Sequence, residues 1–281
     1  MIPIGTAVEQ ARLRLESEGV ESPRLDAELL LAHVLGGNRA AVLAHPERRL
    51  TPKELTRYRA LVERRSEREP LAYVVGRREF YGLDFAVDRR VLIPRPETEL
   101  LVERAVKRAR QVAAPRIADV GAGSGAIAVT LAVQLPAAAV YALDASAGAL
   151  EVTAENARRH GVAGRVTCLQ GNLLEPLPER VHLIVANLPY VTTAEWQELM
   201  PEIRGYEPRQ ALDGGQDGLD LVRALLANAG PWLEPGGAVM LEIGAGQGEA
   251  AVGAAREYLP QANVSVEQDY AGLDRVVVLE T

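Results

Sequence analysis

The stretch Ile117-Ala-Asp-Val-Gly121-Ala-Gly123-Ser-Gly125-Ala126 decides the fold of this 281-residue chain. A short apolar run of strand character leads into three glycines at alternate positions, and a helix-forming sequence follows. Glycine adopts backbone conformations that other residues avoid, so this spacing predicts a tight strand-to-helix turn that a ligand can approach closely. The stretch therefore predicts an α/β fold with a ligand site at the turn.

Strands and helices alternate around this turn. Alternation of this kind predicts a mostly parallel sheet with helices on both faces. Too few residues separate the last two strands for a crossover helix, so they must pair antiparallel. Such a terminal hairpin is typical of the Rossmann-like class I methyltransferase sheet, rather than of the purely parallel nucleotide-binding sheet. The predicted strands are 117–120, 140–144, 166–170, 183–187, 238–243, 264–267 and 275–279, and the predicted helices are 97–112, 126–134, 147–160, 219–229 and 247–259.

The N-terminal part of the chain has a different pattern. Residues 5–69 carry apolar side chains at helical spacing, and Thr51, Pro52 and Glu54 form a helix start with a capping box. From residue 79 the period changes to two, which indicates a hairpin or extended connector ending near Pro94. We predict a small helical bundle at 1–75 that recognises substrate, a connector at 76–96 and a methyltransferase domain at 97–281.

The predicted helix at 54–69 carries five arginines among glutamates. The simplest interpretation is a solvated face with ion pairs one turn apart. A docking surface for a partner is the alternative. Both interpretations remain open from the sequence.

Composition excludes several classes of protein. The net charge of -7 argues against an enzyme that holds long nucleic acid by neutralising phosphates, so we expect no stable nucleic-acid binding. Residues 1–80 hold 14 Lys and Arg against 12 Asp and Glu, a balance of +2, which leaves -9 for residues 81–281. Cys168 is the only cysteine, and the four histidines lack metal-ligand spacing. We find no signal peptide and no membrane-spanning run, and expect a cytoplasmic protein without a metal.

The glycine turn fits two kinds of cofactor by its spacing alone. It matches the dinucleotide fingerprint, with Asp144 at the end of the next strand placed for ribose hydroxyls. Two features favour S-adenosylmethionine: Asp119 precedes the glycines, where it can bind the ammonium of the cofactor directly or through water, and nothing downstream supplies a hydride-transfer site. The predicted cofactor-binding residues in these two strand ends are Asp119, Gly121, Ala122, Gly123, Ser124, Gly125 and Asp144.

The end of the third predicted strand supplies a candidate adenine site. Asn172 and Leu173 stand where folds of this kind recognise adenine, often through an acidic residue. The amide oxygen of Asn172 can accept the same hydrogen bond from the adenine amine, with less electrostatic strength than a carboxylate.

The tetrapeptide Asn187-Leu188-Pro189-Tyr190 follows the strand at 183–187 and is the most specific motif in the chain. An amide nitrogen is a poor nucleophile, because its lone pair is delocalised into the carbonyl group. It must be held with both N–H bonds on acceptors and its lone pair towards the methyl group. The side-chain oxygen of Asn187 and the backbone carbonyl of Leu188 supply two acceptors, while Tyr190 packs on the planar amide. We predict that these four residues are catalytic, that Asn187 also borders the cofactor, and that no general base is required.

Several motifs together resemble the release factor glutamine methyltransferase family. They are the segments 79–82 and 93–99, the glycine turn, the tetrapeptide, and the run from Glu207-Pro208 to Leu219. The resemblance runs essentially end to end. It implies that S-adenosylmethionine is the methyl donor and that the acceptor is the N5 atom of the glutamine in the Gly-Gly-Gln motif of peptide chain release factors. The tetrapeptide of this family is usually Asn-Pro-Pro-Tyr, so Leu188 is a departure, although its carbonyl acceptor is retained.

Three other functions remain as alternatives. A nucleic-acid amino methyltransferase would hold adenine N6 or guanine N2 in a similar geometry. An NAD-dependent oxidoreductase would use the same glycine turn. A noncatalytic binding module is the third, disfavoured by the intact Asn187 and Tyr190.

Overall fold

The computed structural model describes all residues from 1 to 281 and contains twelve α-helices and nine strands. The helices are α1 Ile4–Ser17, α2 Pro23–Leu35, α3 Arg39–Ala44, α4 Pro52–Ser66, α5 Leu71–Val75, α6 Thr98–Ala109, α7 Ala126–Gln134, α8 Ala147–Arg159, α9 Thr193–Trp196, α10 Pro201–Tyr206, α11 Asp220–Ala229 and α12 Gly248–Tyr258. The strands are β1 Arg77–Phe80, β2 Leu83–Ala86, β3 Arg116–Val120, β4 Ala139–Asp144, β5 Val166–Gln170, β6 Val181–Ala186, β7 Leu233–Glu242, β8 Asn263–Gln268 and β9 Asp274–Glu280. Two short 3-10 helices cover Arg209–Ala211 and Gly230–Trp232. None of the helices is both long and apolar enough to cross a lipid bilayer.

The chain divides into two compact units. One comprises Met1–Arg77 together with Met200–Tyr206, and the other comprises Arg78–Leu199 with Glu207–Thr281. The short helix α10 therefore belongs with the N-terminal helices, although it lies far along the sequence.

The N-terminal unit is a helical bundle with its own apolar core. Helices α1, α2 and α4 contribute most of the buried side chains, and the hydroxyl of Tyr58 donates to the carbonyl of Ala27 over 2.9 Å. The predicted capping box is present at the start of α4, where Thr51 accepts from the backbone N–H of Glu54 and the Glu54 side chain accepts from that of Thr51. The predicted helical bundle is confirmed.

The arginine-rich face of α4 is only partly solvated: Arg57, Arg59 and Arg64 are exposed as predicted, whereas Arg65 and Arg68 are not. Arg65 is only 6% exposed and pairs with Asp26 at 2.7 Å and with Glu202 of α10 at 3.0 Å. Arg68 pairs with the other oxygen of Glu202 at 2.6 Å. Arg64 keeps a local partner, Glu69, at 2.8 Å, whereas Arg65 and Arg68 pair across the bundle because Asp26 and Glu202 are themselves buried and need a cation.

The second unit contains a seven-stranded sheet in the order β5-β4-β3-β6-β7-β9-β8. The strands from β5 to β7 are parallel, whereas β9 pairs antiparallel with both β7 and β8. This topology confirms the predicted class I methyltransferase sheet with its antiparallel C-terminal hairpin. Strand β7 begins at Leu233 rather than at residue 238, and its pairing with β6 shifts register between Val181 and Leu183.

Two apolar layers cover the two faces of the sheet. Alternate strand residues face opposite layers, so Ile117 packs towards α6 and α7 while Ala118 packs towards α11 and α12. The small hairpin β1–β2 adds Phe80 and Phe85 to the first layer. The carboxyl ends of β3, β4 and β6 consequently meet at one edge, where open sheets of this class bind ligands.

Candidate active site

A cavity of about 290 Å³ opens at the carboxyl ends of β3, β4 and β6. Its floor is formed by the strand ends and its walls by the segments at 90–92 and 208–211. The lining residues are Arg90, Val91, Leu92, Val120, Gly121, Gly123, Leu143, Asp144, Ala145, Ser146, Ala149, Gly171, Asn172, Leu173, Asn187, Leu188, Pro189, Pro208, Gln210, Ala211 and Leu221.

The glycine turn between β3 and α7 takes the predicted form. Gly121, Gly123 and Gly125 all have positive φ angles, of 79°, 56° and 78°. A Cβ atom at Gly125 would lie 2.9 Å from the side chain of Thr153, and one at Gly121 would lie 3.3 Å from Leu188. These positions require glycine for two reasons, the backbone conformation and the close approach of neighbouring groups.

Asp144 joins this turn to the end of β4. One of its carboxylate oxygens accepts from the N–H of Gly123 at 2.9 Å, and the other accepts from the N–H of Ser146 at 2.8 Å. Each oxygen retains a further lone pair, and the residue lines the cavity. Asp144 is thus held rigidly, with acceptor capacity for a pair of ribose hydroxyls.

Asp119 lies beneath the turn and does not line the cavity. Its side chain is fully buried, and one oxygen accepts from the N–H of Ala128 at 2.9 Å. The other oxygen has no hydrogen-bond partner. Burial raises the pKa of Asp119 to about 7. An unpaired buried oxygen next to the turn fits a water or a cationic group supplied by a ligand.

The candidate adenine residues Asn172 and Leu173 also line the cavity. The side-chain NH2 group of Asn172 donates to Glu175 over 3.3 Å, which leaves its amide oxygen available as an acceptor. Leu173 has an unusual positive φ angle of 48° and also lines the cavity.

Asn187 follows β6 directly, and its side chain is already oriented. Its Nδ2 atom donates to Oγ1 of Thr98, at the start of α6, over 3.0 Å. The Oδ1 atom is therefore the one left to accept a hydrogen bond in the cavity. The carbonyl oxygen of Leu188 accepts from no donor of the chain.

Tyr190 stands behind the cavity rather than in its lining. Burial, and secondarily the nearby carboxyl of Glu242, raise the pKa of Tyr190 to about 12. Its hydroxyl is therefore protonated at neutral pH, which agrees with a packing role and not with that of a base.

The tetrapeptide is held from behind by a later part of the chain. Gln247, before α12, donates to the carbonyls of Tyr190 and Asp217 at 2.9 and 3.0 Å. A Cβ atom at Gly214 would lie 2.3 Å from the carbonyl oxygen of Pro189, and one at Gly218 would lie 2.1 Å from that of Tyr190. Positions 214 and 218 thus need glycine because they pack directly on the tetrapeptide.

The motif at 93–99 also has a structural role. Arg95 and the N–H of Ile93 both bind the buried carboxylate of Glu207, at 2.6 and 3.0 Å. This joins the two segments that form the cavity walls. Thr98 of the same motif binds Asn187, and Glu99 accepts from the N–H of Tyr81 over 2.9 Å.

The structure gathers most of the sequence-predicted residues around the cavity. Those that line it are Gly121, Gly123, Asp144, Asn172, Leu173, Asn187, Leu188 and Pro189, and those that support it from behind are Asp119, Ala122, Ser124, Gly125 and Tyr190. Sequence reasoning missed Thr98, Glu242 and Gln247. Glu242 carried a visible signal, a charged residue within the otherwise apolar run 238–243.

Known proteins similar to this chain cover almost its whole length. A model described as the PrmC N-terminal domain matches residues 6–76, and one described as the methyltransferase small domain matches residues 96–203. The release factor glutamine methyltransferase of Geobacter sulfurreducens is 46% identical over 275 residues, covering 98% of this chain and 95% of the relative. The protein of the same name from Moorella thermoacetica is 47% identical over 96% of this chain and 95% of its own.

The chain belongs to the release factor glutamine methyltransferase family. This membership confirms the predicted enzyme class, an S-adenosylmethionine-dependent methyltransferase. Solved structures agree on the fold: a methyltransferase from Pyrococcus furiosus superimposes with a TM-score of 0.53 at 18% identity, covering 72% of this chain and 90% of that one.

Proposed function

We propose that this enzyme transfers the methyl group of S-adenosylmethionine to the side-chain amide nitrogen N5 of the glutamine in the Gly-Gly-Gln motif of peptide chain release factors. The single observation that carries the proposal is the pair of free acceptors at the cavity. Asn187 has its nitrogen committed to Thr98 and its oxygen free, and the carbonyl of Leu188 next to it is unbound.

The cofactor would be held by the glycine turn and its neighbours. Asp144 would accept from the ribose hydroxyls, and the free amide oxygen of Asn172 from the adenine amine. Gly121 and Gly123 would allow close approach of the backbone, while the unpaired oxygen of Asp119 would bind the ammonium group through water. The bound cofactor supplies an electrophilic methyl carbon on a sulfonium centre.

The residues of the protein orient the substrate amide and stabilise the charge that develops on it. Two acceptors with fixed directions would bind the two N–H bonds of the substrate amide, so that its lone pair faces the methyl group. Accepting both hydrogen bonds also polarises the amide towards the nitrogen and stabilises the positive charge that develops there in the transition state. The methylated nitrogen then loses one proton to solvent, so no side chain with a lowered pKa is needed.

Leu188 preserves this arrangement although the family usually has proline there. The acceptor is a backbone atom, and the following Pro189 restricts Leu188 to extended conformations. The side chain is only 4% exposed and packs against Gly121. Packing can therefore replace the rigidity that a proline ring would give.

We further propose that different parts of the chain recognise the release factor and catalyse methyl transfer. A glutamine amide is a small target that occurs in most proteins, so selection of a release factor requires a wider surface. The N-terminal unit, Met1–Arg77 with Met200–Tyr206, has its own apolar core, and residues 1–80 carry a charge balance of +2 against -9 for the rest of the chain. We assign recognition to this bundle, the connector to 76–96 and catalysis to 97–281, and place the reaction in the cytoplasm, where release factors act.

Transfer of a labelled methyl group tests the proposed substrate. The purified enzyme is incubated with labelled S-adenosylmethionine and either an intact release factor, the same factor with its Gly-Gly-Gln glutamine changed to alanine, or ribosomal RNA. We expect label only in the unmodified factor. Label in the RNA would instead support the nucleic-acid amino methyltransferase, and label in both protein samples would place the acceptor elsewhere.

A further inference from the structure

Glu242 is a buried acidic residue beside the tetrapeptide that the mechanism above does not use. It ends β7, and the preceding Leu241 pairs with Ala186, the last residue of β6 before Asn187. Its side chain is 1% exposed. Neither carboxyl oxygen makes a hydrogen bond of normal geometry, and no basic side chain forms an ion pair with it.

The groups that face Glu242 come from three elements. The hydroxyls of Thr98 and Tyr190 are close enough to lower the pKa of the carboxyl, although their geometry falls short of formed hydrogen bonds. Arg275 of β9 lowers the same pKa from a greater distance while it pairs with Asp269 at 3.2 Å, and Glu97 raises it. Burial outweighs these groups and raises the pKa of Glu242 to about 7.

The hydroxyl of Thr98 links this carboxyl to Asn187. A threonine hydroxyl has one proton to donate and two lone pairs to accept with. When Glu242 is ionised, it can only accept, so it draws the Thr98 proton towards itself. Oγ1 of Thr98 must then act as an acceptor towards Asn187, as the 3.0 Å contact with Nδ2 shows.

We propose that Glu242 is a positioning residue for methyl transfer, which sets the direction of the hydrogen bonds from Thr98 to Asn187 and so keeps Oδ1 of Asn187 turned towards the substrate amide. The inference rests on the proposed function, because the required polarity follows from an amide acceptor. The hydroxyl of Tyr190 also faces this carboxyl, so one buried acid lies next to both Thr98 and Tyr190.

Loss of the charge reverses the chain of hydrogen bonds. A protonated Glu242 can donate to Thr98, which is then free to donate its own proton to Asn187. The Asn187 amide would turn over and present its NH2 group to the N–H bonds of the substrate, an arrangement of donor against donor. The enzyme therefore needs Glu242 ionised, and its turnover should fall as the pH is lowered through about 7.

Variants at Glu242 and Thr98 test the proposal in the full-length enzyme with an intact release factor. Outer residues that orient a site typically change activity by about 10- to 100-fold, and we expect such a loss of kcat in Glu242→Gln and in Thr98→Val, with S-adenosylmethionine affinity and the KM for release factor little changed. Thr98→Ser keeps the hydroxyl and should retain most of the kcat. Glu234→Gln, on the same strand but paired with Arg116, is the matched control and should leave kcat unchanged.

The pH profile separates a positioning role from a purely structural one. At saturating S-adenosylmethionine, which removes any contribution of Asp119 to cofactor affinity, wild-type kcat should fall below pH about 7, and the Glu242→Gln profile should be flat there. A double variant with Glu242→Gln and Thr98→Val should lose no more kcat than the less active of the two single variants, because both substitutions break the same hydrogen-bond pathway.

Wild-type kcat with a wild-type profile in Glu242→Gln would overturn the proposal, and so would additive losses in the double variant. If Glu242→Gln does not fold, the comparison of Thr98→Val with Thr98→Ser tests the proposal. Equal kcat values in these two variants would also overturn it. A wild-type enzyme that fails to methylate the release factor at all would refute the proposed function instead.

Discussion

At the scale of single residues, the site is organised before any ligand binds. Asn187 has its nitrogen on Thr98, and Asp144 has both oxygens on backbone N–H groups. Fixed polar groups stabilise a transition state without the cost of reorganising at the moment of reaction. Asn187 and Asp144 are proposed to bind different reactants. We therefore expect substitution of Asn187 to affect methyl transfer and substitution of Asp144 to affect cofactor binding.

Asn187→Ala should abolish most methyl transfer and leave cofactor binding largely intact. Loss of one preorganised polar contact costs about 10²-fold or more in rate. Single-turnover methylation and calorimetric binding of S-adenosylmethionine measure the two effects. Asn228→Ala, at an exposed position on α11, is the matched control. Turnover near that of the wild type in Asn187→Ala would remove this residue from the mechanism.

Asp144→Ala should act mainly on the cofactor. Loss of charge-assisted bonds to the ribose should weaken S-adenosylmethionine binding by about 1 to 3 kcal/mol. Calorimetric titration measures the change, with Asp84→Ala as a control because Asp84 lies on the hairpin beside Arg159, with its side chain 46% exposed and outside the cavity lining. An unchanged dissociation constant would mean that the ribose binds elsewhere.

Buried acids should make the protein less stable as the pH rises. The pKa of Asp119 is raised from 3.8 to about 7, and that of Glu242 from 4.5 to about 7, both by burial. Between the unfolded and folded pKa values the folded state binds more protons, so the free energy of unfolding falls from about pH 4 to about pH 8. Urea unfolding of the wild type and of Glu242→Gln across this pH range measures the free energy of unfolding. The variant should show the shallower slope, and identical slopes would contradict a raised pKa at Glu242.

At the scale of elements, local signals predicted much of the fold. Three features were predicted correctly because each depends on residues close together in the sequence. They are the capping box at Thr51, the glycine turn and the antiparallel C-terminal pair of strands. The structure of residues 191–218 was not predictable from the sequence, although motifs at both ends of this segment were recognised. Its short helices α9 and α10 are too brief for a periodic pattern, and its glycines serve contacts with Pro189 and Tyr190 that become visible only in three dimensions.

Gly218→Ala tests whether this segment supports the tetrapeptide. The new Cβ atom would lie 2.1 Å from the carbonyl oxygen of Tyr190, so the tetrapeptide must move. Gly236→Ala is a matched control, since its φ angle of 71° is close to the 77° of Gly218 but nothing lies within 4 Å of its Cβ position. We expect kcat to fall far more in Gly218→Ala than in Gly236→Ala. Equal losses of kcat in the two variants would mean that Gly218 is needed only for its positive φ angle and not for its contact with the tetrapeptide.

At the scale of the whole molecule, the N-terminal bundle includes a segment from far along the chain. Glu202 of α10 is 8% exposed and bonded to both Arg65 and Arg68. Removing one partner from a buried ion pair typically costs about 3 to 5 kcal/mol, because it leaves an uncompensated charge. Sequence periodicity could not show this pairing, which joins residues more than 130 positions apart.

A truncated chain that starts at Tyr81 should still bind S-adenosylmethionine but lose most activity on an intact release factor. A short peptide with the Gly-Gly-Gln motif should be a poor substrate for both forms, because it offers no wider surface to the bundle. The truncated chain lacks Arg65 and Arg68, so it also carries Glu202→Gln to remove the carboxylate that they neutralise. Retained affinity for S-adenosylmethionine is the control that the truncated chain folds. A folded truncated enzyme with full efficiency on intact release factor would show that the bundle is not the recognition element.

The most direct test of the central claim is tandem mass spectrometry of a release factor after incubation with this enzyme and S-adenosylmethionine. The account predicts one added methyl group on the side-chain amide of the Gly-Gly-Gln glutamine, and far less of this product after the same time in a parallel reaction with Asn187→Ala. An unmodified glutamine with the wild-type enzyme, or a methyl group on any other residue, would contradict it.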